Sequence, residues 1–434
     1  MTVAHYLLGD TRKVMSQLPD GCVDLVLTSP PFLALRSYLP ADDPKKPLEI
    51  GSEATPGEFL DVLLDCTDEW ARLLTQHGTL AVELGDTYAG SGGAGGDYGP
   101  VGLREGQPEF DGSAARTRSN RPGQYGTTTG PPRRVMTDAW PLDKSLTLVP
   151  EMYRLALAYG RNPLTGREVE RWRVRNLVRW VRPNPPVGAL GDKFRPATSD
   201  LVVACKAGDR WFDLDAVRTP HKADPSTYTG NGYTKGNPAG SDADRAMPGN
   251  PAGAPPLDWW KISPGGYTGS HYAVWPPELL ERPIEAMCPR RVCRTCGTPS
   301  RRETSTEQRD TGRTTNGPKN IGRSAETVAL ATRTEVKVTT TGWTTCGCPG
   351  SDGIRLDGYH TGTGWRPGRV LDPFGGTGTT GLVATGRGRD AVLIDLDDRN
   401  LDLARERLGM FLNPTTPAAL VAEWTGARGE SGAA

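Results

Sequence analysis

The tetrapeptide Ser29-Pro30-Pro31-Phe32 directly follows an apolar run, Val23-Asp24-Leu25-Val26-Leu27-Thr28. Proline fixes φ and carries no N–H, so the loop is stiff and nothing within it competes for the neighbouring carbonyls. Those carbonyls and the Ser29 hydroxyl are acceptors for an amino group, and Phe32 offers a face on which a planar ring can stack. An amine on an aromatic ring, held by acceptors and stacked, describes the exocyclic amine of a nucleobase. A proline-rich turn with a core phenylalanine would have the same composition, so the tetrapeptide has to be weighed with its surroundings.

A second loop lies near the other end of the chain, in Val370-Leu371-Asp372-Pro373-Phe374-Gly375-Gly376-Thr377-Gly378-Thr379. A strand expected to end at Phe374 enters a glycine-rich turn that opens a helix, and glycines let backbone N–H groups approach a ligand closely. The next strand ends in Asp395, where an acid is placed to bind ribose hydroxyls. The turn lacks the lysine of a phosphate-binding loop, which argues against a nucleoside triphosphate. In a doubly wound sheet, ligands gather at the carboxyl ends of strands near the switch point. Two loops remote in sequence can therefore line one site.

Two further groups could do chemistry. Five of the eight cysteines fall between residues 288 and 348. Cys293 and Cys296 form a C-x-x-C knuckle and Cys346 and Cys348 a C-x-C pair, a four-thiolate set suited to a closed structural zinc site. Cys288 is a spare ligand, while Cys22, Cys66 and Cys205 sit in apolar patterns and read as core. Seven arginines lie between Arg161 and Arg182, and Arg116–Arg134 and Arg290–Arg302 hold more. A solvated face is the ordinary reading of each cluster, and contact with nucleic-acid phosphates the alternative.

The elements that must position these residues alternate in type. Segments 5–10, 23–29 and 79–86 read as strands. A helix opens at Thr55 with Pro56 at its first position and Glu58 completing a capping box. Its apolar face is Phe59, Leu60, Leu63, Leu64, Trp70, Leu73 and Leu74, and His77-Gly78 is its expected end. Segments 172–186 and 200–208 read as later strands, and 278–288 as a helix broken by Pro283. Residues 369–411 read as strand, glycine turn, helix, strand, helix. This alternation predicts an α/β fold with a mostly parallel, doubly wound sheet. With Gly 54 and Pro 38, much of the chain must be loop.

Together the segments resemble the S-adenosylmethionine-dependent DNA amino-methyltransferases of the permuted beta group, in which the catalytic motif precedes the cofactor motif. Ser29-Pro30-Pro31-Phe32 matches the catalytic motif in the version associated with cytosine N4 methylation. "DPFGGTGTT" (372–380) matches the cofactor motif. "LLGD", "GTLAVELGDTY", "RNLVRWVRPNPP" with "DLVVACK", and "HYAVWPPELLERPIEA" match other family segments in the family's order. The resemblance implies a seven-stranded-type, circularly permuted methyltransferase sheet with loop and zinc-ribbon-like insertions. It implies a catalytic role for Ser29, Pro30, Pro31 and Phe32. It implies cofactor binding by Asp10, Asp372, Phe374, Gly376, Gly378, Thr379, Asp395 and His271.

The expected organisation follows from this match. Residues 1–87 are the catalytic half of the core, 88–140 a flexible Gly/Arg-rich loop and 141–208 the later strands. Residues 209–270 are a target-recognition region, 271–287 a cofactor-closing segment and 288–350 the zinc-ribbon-like insertion. Residues 365–412 are the cofactor half and 413–434 a disordered tail. The expected partner is double-stranded DNA, with a base flipped out for reaction and a cognate restriction system as a further partner. Three alternatives share the sequence features: adenine N6 methylation, methylation of a protein glutamine amide, and an inactive methyltransferase fold carrying a DNA-binding zinc module. Lys+Arg and Asp+Glu are both 51, so net charge selects no partner. No apolar run reaches ~18 residues, so no membrane span is expected. No signal-peptide pattern is visible at residues 1–21, and a cytoplasmic location is expected.

Overall fold

The computed structural model describes residues 2–35, 38–39, 42–89, 138–185, 192–220, 252–264, 274–314, 332–350 and 364–425. In chain order the elements are β1 (Ala4–Leu8), α1 (Thr11–Met15), β2 (Val23–Thr28), α2 (Pro56–Leu73), β3 (Leu74–Leu84), α3 (Val149–Tyr159), β4 (Arg173–Val181), β5 (Thr198–Cys205) and β6 (Trp259–Lys261). They continue with α4 (Pro277–Met287), β7 (Arg291–Cys293), β8 (Arg302–Thr314), β9 (Thr332–Trp343), β10 (Trp365–Pro367) and β11 (Arg369–Asp372). The chain closes with α5 (Thr379–Gly386), β12 (Asp390–Asp395), α6 (Arg399–Leu408), β13 (Leu412–Pro414) and α7 (Pro417–Thr425).

The main sheet runs β13-β1-β12-β11-β2-β3-β5-β4-β6. Its pairs are parallel except β3–β5 and β4–β5. It has nine strands, because the short edge strands β6 and β13 add to the seven that were expected. β2 is buried at all six positions, as a central parallel strand covered on both faces must be. Its one acid, Asp24, is satisfied: Arg369 N–H donates to one carboxylate oxygen at 2.8 Å, and His77 Nε2 lies 2.9 Å from the other. β11 lies between β2 and β12, so the strands that precede the two loops are neighbours in space.

α2 begins as expected, with Thr55 Oγ1 accepting from Glu58 N–H at 3.2 Å. The returning Glu58 bond goes to Ala54 N–H, one residue before the cap. The helix ends at Leu73 rather than at His77-Gly78, and Leu74 starts β3 at once. Pairing of β3 with β2 begins at Leu74↔Val23 and takes those residues out of the helix. Pro283 does not break α4, which runs through it with the ring buried. Proline's cost there is one lost backbone bond and local crowding, which the packed face of this helix tolerates.

The expected disordered tail is corrected as well. β13 pairs with β1, and α7 follows it with Leu420 fully buried. Trp424 packs against the core, with the Arg369 guanidinium 3.9 Å from its ring centroid. Residues 426–434 lie outside the described residues, as does most of the expected flexible loop, 90–137. Part of the expected recognition region joins the main sheet as β6, paired with β4.

The described chain forms two compact units. The first is 1–211, 258–288 and 367–434, and the second is 212–257 and 289–366. In the second, β7 pairs with β10, and β8 and β9 form an antiparallel hairpin paired from Arg302↔Trp343 to Thr314↔Thr332, with register shifts between Glu303 and Thr304 and between Asp310 and Thr314.

Candidate active site

At the carboxyl ends of β1, β2, β11 and β12 the first unit opens a cleft. It is lined by Ser29, Pro30, Pro31 and Phe32 on one side and by Asp372, Phe374, Gly376, Thr379 and Asp395 on the other, with Asp10 beside them. All but two of the expected catalytic and cofactor residues thus converge. Gly378 does not line the cleft. It caps α5 at φ +79°, and a Cβ there would come within 2.8 Å of Leu408 Cδ1, so its role is close packing on α6. His271 lies outside the described residues.

The Ser29–Phe32 loop is shaped from below. Gly85, just after β3, lies under the Phe32 ring, where a Cβ would meet Phe32 Cε2 at 2.6 Å. Gly51, at φ +98°, lets the chain pass Pro31 and Phe32. The Ser29 hydroxyl donates to Glu83 Oε2 at 2.6 Å. Glu83 is buried. Burial raises its carboxyl pKa, opposed by hydrogen bonds from Ser199 and Ser29 and by the charge of Arg182. With its proton committed to Glu83, Ser29 Oγ keeps lone pairs free to accept from an incoming amine.

Asp372 ties the two loops together. One carboxylate oxygen accepts from Thr28 Oγ1 at 2.7 Å and from Phe374 N–H at 3.2 Å, and the other from Thr380 Oγ1 at 2.5 Å. Burial pushes its pKa up to about 6 despite those donors. Asp395 closes the glycine turn. It accepts from Gly376 N–H at 2.7 Å, from Asp397 N–H at 2.8 Å and from Asn400 Nδ2 at 3.1 Å. Its pKa is also raised by burial to about 6. Asp10 caps α1 and holds the Arg12 side chain. Thr379 Oγ1 accepts from Arg407 at 2.8 Å, and the buried Tyr6 hydroxyl donates to Gly376 O at 2.8 Å.

Several of these residues escaped the sequence reading. Glu83 had a signal, being the one acid inside the apolar run Leu80–Leu84. Tyr6 and Arg407 had none. Nor did the ties that join the segment after the Ser29–Phe32 loop to the end of β12: Arg399 Nη2 donates to Tyr38 O at 3.0 Å and Lys45 Nζ to Leu396 O at 3.3 Å.

The lining decides what class of ligand fits. Asp10, Glu49, Asp372, Asp395 and Asp397 face the cleft, and among the described residues no lysine, arginine or histidine does. Phosphates would be repelled there. A nucleoside with free hydroxyls and a cationic substituent fits, and S-adenosylmethionine is such a molecule.

The chain is similar to several known proteins. The "Type II methyltransferase M.SmaI" of Serratia marcescens is 22% identical over 403 residues, covering 93% of this chain and 89% of that protein. The "Type II methyltransferase M.SfiI" of Streptomyces fimbriatus is 24% identical over 237 residues, covering 52% of this chain and 44% of its own, so the match spans less than half its length. Among solved structures, the cytosine-N4-specific PvuII DNA methyltransferase aligns over 98% of this chain and 94% of its own, at 12% identity and a TM-score of 0.45. The model of the N6/N4 family, described as "DNA methylase", matches residues 23–291, more than half of the chain. The chain belongs to the N6/N4 DNA methylase family.

Proposed function

We propose that this protein transfers the methyl group of S-adenosylmethionine to the N4 amine of a cytosine flipped out of double-stranded DNA. The observation that carries the reading is the Ser29–Glu83 hydrogen bond, set across one cleft from an acidic glycine turn. S-adenosylmethionine supplies an electrophilic methyl on a sulfonium. Asp395 and the Gly375–Gly376 backbone would hold its ribose and methionine parts, with Phe374, Asp10 and Thr379 around them. Asp372 braces the two loops.

The target nitrogen is a weak nucleophile, because its lone pair conjugates with the ring. Ser29 Oγ and the Pro30 carbonyl accept its two protons and favour a pyramidal nitrogen whose lone pair points across the cleft. Phe32 stacks on the ring. Displacement is direct and in line, so positioning supplies much of the rate. The proton shed by the nitrogen moves to Ser29 Oγ as the Ser29 proton moves to Glu83. Burial makes Glu83 a stronger base than a free carboxylate, which favours that last transfer.

Serine at position 29 is the feature that supports cytosine over adenine. Relatives named as type II methyltransferases support a modification role beside a restriction endonuclease. Digesting methylated duplex DNA to nucleosides and weighing the product tests the assignment. N4-methylcytosine is expected. N6-methyladenine would move the protein to the other branch of its family, and no methylated nucleoside would remove the activity.

A further inference from the structure

The second unit holds a group of side chains that the methyl-transfer reading leaves unused. Cys293, Cys296, Cys346 and Cys348 place their four sulfurs within 4.8 Å of one another. None is in a disulfide. In a tetrahedral four-thiolate site with Zn–S about 2.3 Å, sulfurs stand about 3.8 Å apart, so the group need contract by under about an ångström. The turns are built for it. Gly297 follows Cys296 at φ +72°, and Gly347 lies between Cys346 and Cys348 at φ +73°. A Cβ at either glycine would meet nothing within 4 Å, so these glycines serve the left-handed backbone rather than space. Cys293 O accepts from Gly297 N–H at 3.0 Å, which tightens the first knuckle. Thr298 Oγ1 lies 3.2 Å from Cys296 Sγ, where its hydroxyl can turn to donate to a thiolate.

What the group holds explains why it is there. Cys296 precedes β8 and Cys346 follows β9, so the two cysteine pairs bracket the base of the hairpin. That base is packed: Trp343 is buried, the Arg302 guanidinium lies 4.8 Å from its ring centroid, and Ser300 Oγ donates to Thr344 O at 3.0 Å. Beyond this base, none of the hairpin's described side chains is buried. Glu303, Thr304, Thr306, Glu307, Lys337 and Thr339 are all exposed. An isolated two-stranded hairpin is marginal in water, and small modules of this kind need a staple. We propose that these four cysteines bind one Zn²⁺ in a closed, structural site that clamps the base of the β8–β9 hairpin. Soft thiolates select zinc over magnesium or calcium, and four protein ligands leave no position open for catalysis.

Metal analysis of the purified full-length protein should find about one zinc per chain. Replacing it with Co²⁺ should give the charge-transfer absorption of thiolate-bound tetrahedral cobalt. Cys296→Ser and Cys346→Ser should each lower the zinc content and lose that absorption. Chelation should speed protease cleavage within residues 302–343 on the order of tenfold, since metal binding is folding free energy for such a module. Calorimetry with S-adenosylmethionine on the same chelated sample reports on the cleft separately, so the metal site and the methyltransferase reading can fail independently. If a cysteine variant does not fold, thiol titration of the native protein with and without chelator decides: four thiols should become reactive only on chelation. Protein that is metal-free as isolated and takes up no cobalt overturns the proposal. Iron in place of zinc, or unchanged metal in both variants, does so as well.

Discussion

At the scale of single residues, the proposed chemistry rests on groups whose protons are already placed. Ser29 donates to Glu83, which in the proposed mechanism leaves its lone pairs to the target amine. Ser29→Ala removes an acceptor and Glu83→Gln removes the base behind it. A hydrogen bond to a charged group is worth about 1.5–3 kcal/mol, so each should lower kcat by roughly 10- to 100-fold. Cofactor affinity should hardly change, because neither residue belongs to the glycine turn. Equal losses of affinity and rate by calorimetry and single-turnover kinetics would show the pair to be merely structural. Asp395 makes a separate prediction in pH. Its carboxyl is raised from 3.8 to about 6, and its bonds from Gly376 and Asp397 N–H require an acceptor. A carboxylate receives ribose hydroxyls best, so the Kd for S-adenosylmethionine should rise as pH falls below about 6. For folding, the sign is opposite to that of a salt-bridged acid. Between about pH 4 and 6 the native state binds more protons than the unfolded chain at Asp395 and Asp372, so their contribution to stability falls as pH rises through that window and is flat above it. Denaturant titrations at several pH values, with Asp395→Asn as reference, measure both effects.

At the scale of elements, much was legible because local pattern and burial agree. The capped helix α2, the continuous apolar strand β2 and the strand–turn–helix at 369–386 carry their own signals. What the sequence concealed was decided by partners far along the chain. Leu74–Gly78 looked like the end of a helix but belongs to β3: Leu74 pairs with Val23 of β2, and after a shift in register regular pairing resumes at Leu25↔Thr79. Residues 413–434 looked like a tail, yet β1 supplies a strand partner for 412–414 and the core a place for Leu420. The Trp259-Trp260-Lys261 island looked like part of a recognition loop and is an edge strand, because β4 had a free edge. Within the site, the loops were readable from residue type, while Tyr6, Arg407, Arg399 and Lys45 were not, since a cation or a phenol far off in sequence announces no target. The tail gives a direct check. Leu420→Ala should destabilise the first unit by about 2–5 kcal/mol, the range for a buried leucine. An unchanged melting temperature would mean that α7 does not hold its place in solution.

At the scale of the molecule, the topology makes one cleft out of two ends of the chain. β2 and β11 are neighbours although nearly the whole sequence separates them, and β1 lies between the two late strands β12 and β13. The cysteine hairpin belongs to the second unit and the main sheet to the first. Cofactor binding should therefore be felt unevenly along the sequence. A ligand that binds only the native state stabilises it by RT ln(1 + [L]/Kd), about 2.7 kcal/mol at one hundred times Kd. In hydrogen exchange with and without S-adenosylmethionine, the amides of β1, β2, β11, β12 and the 374–380 turn should slow together, up to that limit where exchange needs the whole first unit to open. Amides of β8 and β9, which contribute nothing to the cleft, should exchange at unchanged rates. Equal slowing in the hairpin would mean that the two units open as one. No slowing in β2 and β11 would mean that the acidic cleft between the two loops is not where the cofactor binds.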